Sequence, residues 1–194
     1  SLDANDKLAL ATENPLDTPF PASSLGSQLR AVAETIGSRQ AIGAKRQVYF
    51  VGLGGFDTHS NQAQALPGLQ QTLSDAMTAF YNATEELGVA DQVTTFTAAD
   101  FGRTLTANGD GTDHGWGGHH FVVGGAVRGG NIYGDIPIAQ LGHNQDAGNG
   151  RLIPTASVEQ FAAPLGQWFG LNNQELATAL PRLTNFPNGA LGYI

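Results

Sequence analysis

Residues 47–98 decide the fold: QVYFVGLGGFDTHSNQAQALPGLQQTLSDAMTAFYNATEELGVADQVTTFTA. Gln47 to Leu53 is a β-branched and aromatic run and reads as a buried strand. From 64 to 87, Leu66, Leu69, Leu73, Met77, Phe80 and Leu87 recur on one helical face. Pro67 suits the first turn of that helix, and Gly88 suits its C-terminal cap. Val93 to Thr97 reads as the next strand. Strands near 47–53 and 92–98, joined by a helix near 65–87, predict a parallel βαβ unit.

Outward from this unit the pattern is sparser. A short helix over Asp6 to Thr12 and a connector marked by Pro15, Pro19 and Pro21 come first. Ser23 or Ser24 then caps a helix with Leu25, Leu29, Val32, Ala33 and Ile36 at helical spacing, ended by Gly37. On the other side, 119–127 reads as a third strand, with Gly124-Gly125 as a bulge or close approach. Residues 128–153 are rich in Gly and Asn and read as surface loops. A last helix starts at Ser157, with Val158, Phe161, Leu165, Trp168 and Phe169 as its apolar set. Pro164 predicts a kink or break in it. Asn172 or Asn173 caps a short helix, Gln174 to Leu180, and the tail reads as irregular.

Composition bounds the function. The 194 residues are 41% hydrophobic and 13% charged, with 26 glycines. This is a globular composition with many loops, long enough for a real core. The net charge of −8 argues against a nucleic-acid backbone as partner. The absence of cysteine excludes disulfides and thiolate metal sites and leaves Asp, Glu and His sites open. No apolar run reaches the roughly 18–20 residues of a membrane helix. No signal-peptide pattern opens the chain.

Two glycine-rich loops hold metal-ligand residue types. Gly52 to Gln62, GLGGFDTHSNQ, carries Asp57 and His59. Thr97 to His120, TAADFGRTLTANGDGTDHGWGGHH, carries Asp100, Arg103, Asp113 and His114. Each follows an expected strand, and ligand sites in open α/β sheets lie outside the carboxyl ends of strands. A carboxylate with an imidazole suits zinc, manganese or iron. The plain alternative for Asp57 and His59 is an Asx turn and a surface histidine. Asp100 is a ligand candidate, and Arg103 either holds an anionic oxygen or pairs with Asp100. His119 and His120 would face opposite sides of a strand, so only one of them could reach a site. His143 reads as surface. Arg128 reads as a second anion contact or a loop charge.

These motifs resemble the DUF1501 family, bacterial proteins related to the alkaline phosphatase and sulfatase superfamily. The matching stretches are FPASSLGSQLRAVAETI, GLGGFDTHSNQ, TAADFGRT, NGDGTDHGWGGHHFVVGGAVRGGNIYG and RLIPTASVEQFAAPLGQWFG. The resemblance implies a three-layer α/β/α sandwich with a mostly parallel sheet, as one domain or the carboxyl-terminal portion of a larger one. It implies a metal-dependent hydrolase of phosphate or sulfate esters, acting on an anionic small-molecule ester or a sulfated or phosphorylated glycan. Asp57, His59, Asp100 and His114 would hold a divalent metal, zinc foremost, with manganese, calcium or magnesium as alternatives. Arg103 would be the catalytic contact to the ester. Phe101 stands where the superfamily pattern has the imidazole of an Asp-His pair, and Asp100 where members commonly have Glu. That departure supports a second reading, a non-catalytic binding or assembly module. Family members are longer, and the nucleophile is expected in an amino-terminal half that this chain does not match. That half, or a second copy of the chain, is expected to cover an apolar edge. A periplasmic or exported location is implied as well.

Overall fold

The computed structural model describes residues 16–43 and 45–194, so the expected helix over Asp6 to Thr12 lies outside the described residues. The chain divides into two compact units. The first is Ser1–Thr95 with Val123–Gly125, and the second is Phe96–Val122 with Ala126–Ile194.

The first unit is built on two helices, α1 (Ser24–Gly37) and the longer α3 (Gln62–Glu86), with a single turn, α2 (Arg39–Ile42), between them. Ser23 caps α1 by accepting from the Gly26 N–H at 3.0 Å. The apolar faces of α1 and α3 meet through Leu25, Leu29, Ala33 and Ile36 against Ala76, Phe80 and Ala83, with Val89 closing the cluster. Ala33, Ala76 and Ala83 are wholly buried, and their small size lets the two backbones approach. Each buried Leu or Phe contributes about 1.5–3 kcal/mol. α3 starts earlier than its apolar stripe suggests, which leaves Pro67 inside the helix. The carbonyl of Ala63 loses its helical donor there, but Ala63 is exposed and water can donate instead. Gly88 caps the far end in the left-handed region, φ 64°. Its N–H donates to Glu85 O, and the Val89 N–H donates to Thr84 O, both at 2.9 Å, which is a Schellman closure. Glu86 accepts from the backbone N–H groups of Asp17 and Thr18, tying the incoming chain to this end.

The sheet overturns the expectation of a three-layer sandwich with a mostly parallel sheet. The described strands are β1 (Thr94–Phe96), β2 (Gly102–Ala107), β3 (Thr112–Gly115) and β4 (Val122–Gly124). They form two separate two-stranded pairs, β1 with β4 and β2 with β3, both antiparallel. The strand expected over 47–53 is absent. A β-rich run expresses its preference only against neighbouring strands, and here its neighbour is a helix. Val51 and Leu53 pack on the helical core, and the side-chain amide of Gln28 meets both backbone groups of Gly52 at 3.0 Å. Val48 and Phe50 are left 82% and 96% exposed. The strands expected over 92–98 and 119–127 shrink to three residues each and pair with one another, because the β2–β3 hairpin between them returns the chain without a crossover.

In the second unit, α4 (Val158–Phe169) and α5 (Asn173–Ala179) each open with a complete capping box, Ser157 with Gln160 and Asn172 with Glu175. α4 continues through Pro164 where a kink or break was expected. Pro164 cannot donate to the carbonyl four residues back, that of Gln160. The tail supplies the donor, since the Leu191 N–H bonds Gln160 O at 3.0 Å. The Phe161 ring is the hub of an aromatic cluster with Phe96, His120 and Tyr193 at 5.7–6.0 Å between centroids. Tyr193 is 2% exposed, its hydroxyl donates to the Phe161 carbonyl, and burial pushes its pKa up to about 12.

Phe80→Ala is expected to destabilise the protein by about 3–5 kcal/mol in urea unfolding. Phe50→Ser, at an exposed position, is expected to stay within about 0.5 kcal/mol of the parent. A large loss at Phe50 would mean that the 47–53 run is buried in solution.

Candidate functional site

Asp57 and His59 lie in the first unit, in the loop that enters α3. The loop turns tightly: the His59 N–H donates to Asp57 O at 3.1 Å, two residues back. That turn aims both side chains the same way, and His59 Nε2 sits 3.0 Å from Asp57 Oδ1. The residue between them, Thr58, points inward, is buried, and accepts from Gln62 Nε2 at 2.8 Å. Two residues before the turn, Gly55 sits at φ 100° with Leu69 Cδ2 3.0 Å from where a Cβ would stand, so the entry to the loop favours glycine. The pair is about half exposed, 47% for His59 and 57% for Asp57.

Arg103, Asp113 and His114 lie in the second unit, on the β2–β3 hairpin. The register sets Gly102 opposite Gly115 and Arg103 opposite His114. Opposed residues of an antiparallel pair share a face, and so do residues two apart on a strand. Phe101, Arg103, Thr112 and His114 therefore lie on one face, and their contacts agree. The Phe101 and His114 rings stack at 3.8 Å with 7° between planes. Arg103 Cζ lies 5.7 Å from the Phe101 centroid, its Nε donates to Thr112 Oγ1 at 3.0 Å, and its Nη2 donates to the Thr112 carbonyl. Asp113, one residue from His114, falls on the other face. Its carboxylate accepts from Asn108 Nδ2, and its N–H donates to Thr104 Oγ1. The Asp-His pair read from sequence is thus split between two faces.

The remaining candidates separate. Asp100 is exposed just before the hairpin. His120 leans on Phe161 and lies 3.4 Å from Thr97 Oγ1. Partial burial, and then the neighbouring His119, hold its imidazole below the ordinary range. Arg128 is a loop tie, its N–H donating to Tyr193 O at 2.9 Å. His143, read as plain surface, takes two hydrogen-bonding contacts in its own loop. Its Nδ1 accepts from the Gln145 N–H at 3.2 Å, and its Nε2 lies 2.8 Å from Ile138 O.

Sequence reasoning passed over Asp146. Its carboxylate accepts from the N–H groups of Gly142, Gly148 and Gly150 at 2.8–2.9 Å. Gly150 O in turn accepts from the Leu105 N–H at 3.1 Å, so this loop braces β2, the strand that carries Arg103. The signal was legible: Asp146-Ala-Gly148-Asn-Gly150 is an Asx-turn pattern with glycines where bare backbone must approach a carboxylate.

A family model described as "Protein of unknown function (DUF1501)" matches residues 3–180. No curated protein and no solved structure matches the chain.

The Asp146 hydrogen bonds, that of Gly142 foremost, hold its carboxyl below its ordinary value of 3.8. A depressed carboxyl stabilises above the unfolded value and loses that contribution as pH falls through the lower folded value. Below pH 3.8 the loop is therefore expected to loosen. At neutral pH, Asp146→Ala is expected to speed amide exchange at Gly142, Gly148 and Gly150 while α1 and α3 stay protected. Unchanged exchange at those glycines would show that the carboxylate does not hold the loop.

Proposed function

We propose that this chain, which belongs to the DUF1501 family, is a metal-dependent hydrolase of phosphate or sulfate esters. Asp57 and His59, in the first unit, are the candidate ligand pair of a divalent ion, zinc first, with manganese, calcium or magnesium as alternatives; Asp100 and His114 are separate candidates in the second unit. The observation that carries the reading is the Asp57–His59 pair. A carboxylate oxygen and an imidazole nitrogen, half exposed, converge to 3.0 Å in a loop set by glycine. Two ligand atoms about 2.0 Å from a tetrahedral zinc lie about 3.3 Å apart. To hold the ion the pair would exchange its mutual contact for the metal and open by only a few tenths of an ångström, so these two donors fit. A bound ion would supply Lewis-acid polarisation of an ester oxygen.

Arg103 is the candidate contact for the anionic oxygens of the ester. Thr112 fixes the plane of its guanidinium by accepting from Nε and Nη2. That restraint orients the group before a ligand arrives, which lowers the ordering cost of binding. Substrates in this reading are anionic small-molecule esters or sulfated or phosphorylated glycans, and the location is periplasmic or exported. The second reading, a binding or assembly module on the same scaffold, draws on Phe101, an aromatic residue where the superfamily pattern has an imidazole ligand.

Zinc titration by calorimetry is expected to show near-stoichiometric binding that falls at least about 10-fold in Asp57→Asn and in His59→Ala. A screen of aryl phosphate, phosphodiester and sulfate esters is expected to find turnover that Asp57→Asn abolishes. Zinc binding without any such turnover would favour the binding module. No zinc binding at all would sink the metal reading.

A further inference from the structure

Asn followed by Gly is the dipeptide most open to spontaneous loss of the side-chain amide, because glycine carries no Cβ to screen its nitrogen. The chain holds three such pairs, Asn108-Gly109, Asn149-Gly150 and Asn188-Gly189, all in the second unit. The fold treats them differently. Attack requires the glycine nitrogen to shed its proton and swing onto the asparagine Cγ, so an N–H held in a hydrogen bond is protected until that bond breaks. The Gly150 N–H donates to Asp146 Oδ1 at 2.9 Å, and Gly150 is buried. The Gly189 N–H donates to Phe186 O at 3.0 Å, and Gly189 O accepts from Gln160 Nε2 at 3.0 Å. Asn108-Gly109 instead lies in the exposed turn between β2 and β3. Among the described residues no acceptor meets the Gly109 N–H, and nothing lies within 4 Å of where a Gly109 Cβ would stand.

We propose that Asn108 is a site of spontaneous deamidation and that its conversion loosens the β2–β3 hairpin. The Gly109 nitrogen, deprotonated by hydroxide, attacks Asn108 Cγ. The N–Cγ bond forms, the Cγ–Nδ2 bond breaks, and Nδ2 leaves as ammonia with a proton from water. Water then opens the resulting succinimide at one of its two carbonyls. Opening at Cγ leaves an aspartyl residue, and opening at the main-chain carbonyl leaves an isoaspartyl residue whose backbone runs through the former side chain. Either product bears a carboxylate where an amide stood. The Asn108 amide donates to Asp113 Oδ1, beside the Thr112 that pairs with Ala107 and ties Arg103. Deamidation removes that donor and sets one carboxylate against another at the end of a strand pair, where like charges repel. The isoaspartyl product also adds a backbone atom to the turn that the Asn108 N–H closes onto Gly111 O at 3.0 Å. The inference needs no bound ion and is independent of the hydrolase reading.

The test ages the full chain at mildly acidic and at alkaline pH and maps its peptides by mass spectrometry. Asn108 is expected to convert at least about 10-fold faster than Asn149 or Asn188, since each of those must first break a hydrogen bond. Its conversion is expected to speed up at alkaline pH, where the glycine nitrogen loses its proton more readily. In urea the three rates are expected to converge, because only the fold tells the pairs apart. If Asn149 or Asn188 converts as fast as Asn108 in the folded chain, or if Asn108 converts only in urea, the site assignment is overturned. The consequence is read separately, by amide exchange. Asn108→Asp, which reproduces the aspartyl product, is expected to speed exchange across Thr112–Gly115 by about 2- to 5-fold while α1 and α3 stay protected. Adding Asp113→Asn to it exchanges the two groups, and is expected to return the hairpin to the parent's protection. If Asn108→Asp exchanges like the parent, or the double variant stays as loose as the single one, the loosening is overturned.

Discussion

The second unit depends on a contact that only glycine permits. A Cβ at Gly102 would sit 1.7 Å from the Gly117 carbonyl oxygen, and one at Gly115 would sit 2.5 Å from that of Arg103. No side-chain rearrangement relieves either clash, because the obstacle is backbone. With both positions bare, β2 and β3 close to a register that puts Arg103 across from His114. Everything on the face that carries Arg103 follows: the Phe101–His114 stack, the Arg103 ties to Thr112 and the exclusion of Asp113. The Asp146 loop then holds β2 from outside through Leu105 and Gly150. A short hairpin is marginal in water on its own, and these braces are what this one has in place of a wider sheet.

A second dependency runs through the carboxyl-terminal tail. Proline inside a helix leaves one carbonyl without its donor, and an unmet buried carbonyl is costly. Gln160 is buried, so water cannot easily repair the loss. The tail returns to do so. Leu191 donates to the Gln160 carbonyl, the Gln160 side chain donates to Gly189 O, and Tyr193 inserts beside Phe161 with its hydroxyl on the Phe161 carbonyl. The irregular tail is thus a structural part of α4, and Pro164 is tolerated because a distant residue supplies the missing hydrogen bond.

The helices were legible in the sequence because their signals are local. Apolar spacing, Ser23, Ser157, Asn172 and Gly88 each mark an end or a face without reference to the rest of the chain. The sheet was not legible for the opposite reason. Gln47 to Leu53 has strand composition, but a strand exists only where another backbone lies alongside. Here the side chain of Gln28 fills that place at Gly52. The resemblance that suggested a parallel sheet carried the motifs correctly, since the chain belongs to DUF1501, but it did not carry the architecture. For the candidate residues, Asp57 with His59 was readable because two residues of spacing is short enough to be decided locally. The partners of Arg103 and His114 were not, because they depend on a register with a break between Arg103 and Ala107. No propensity encodes that break.

The same period of two explains which candidate pairs cooperate. Asp57 and His59 flank an inward-turned Thr58, so a tight turn brings both outer side chains together. Phe101 and Arg103 flank Gly102 in the same way and share a face. Asp113 and His114 are adjacent, so a strand sends them apart, and the carboxylate is left to bond Asn108 while the imidazole stacks on Phe101. Carboxylate and imidazole in a row look like the stronger ligand signal in a sequence, yet adjacency on a strand forbids joint service to one ion. An intervening residue that the core can absorb, or a glycine that the backbone can crowd, is what lets two functional side chains act together. On that ground the Asp57-Thr58-His59 stretch is the better candidate for a cation-binding pair, and of Asp113 and His114 only one could face any given ion.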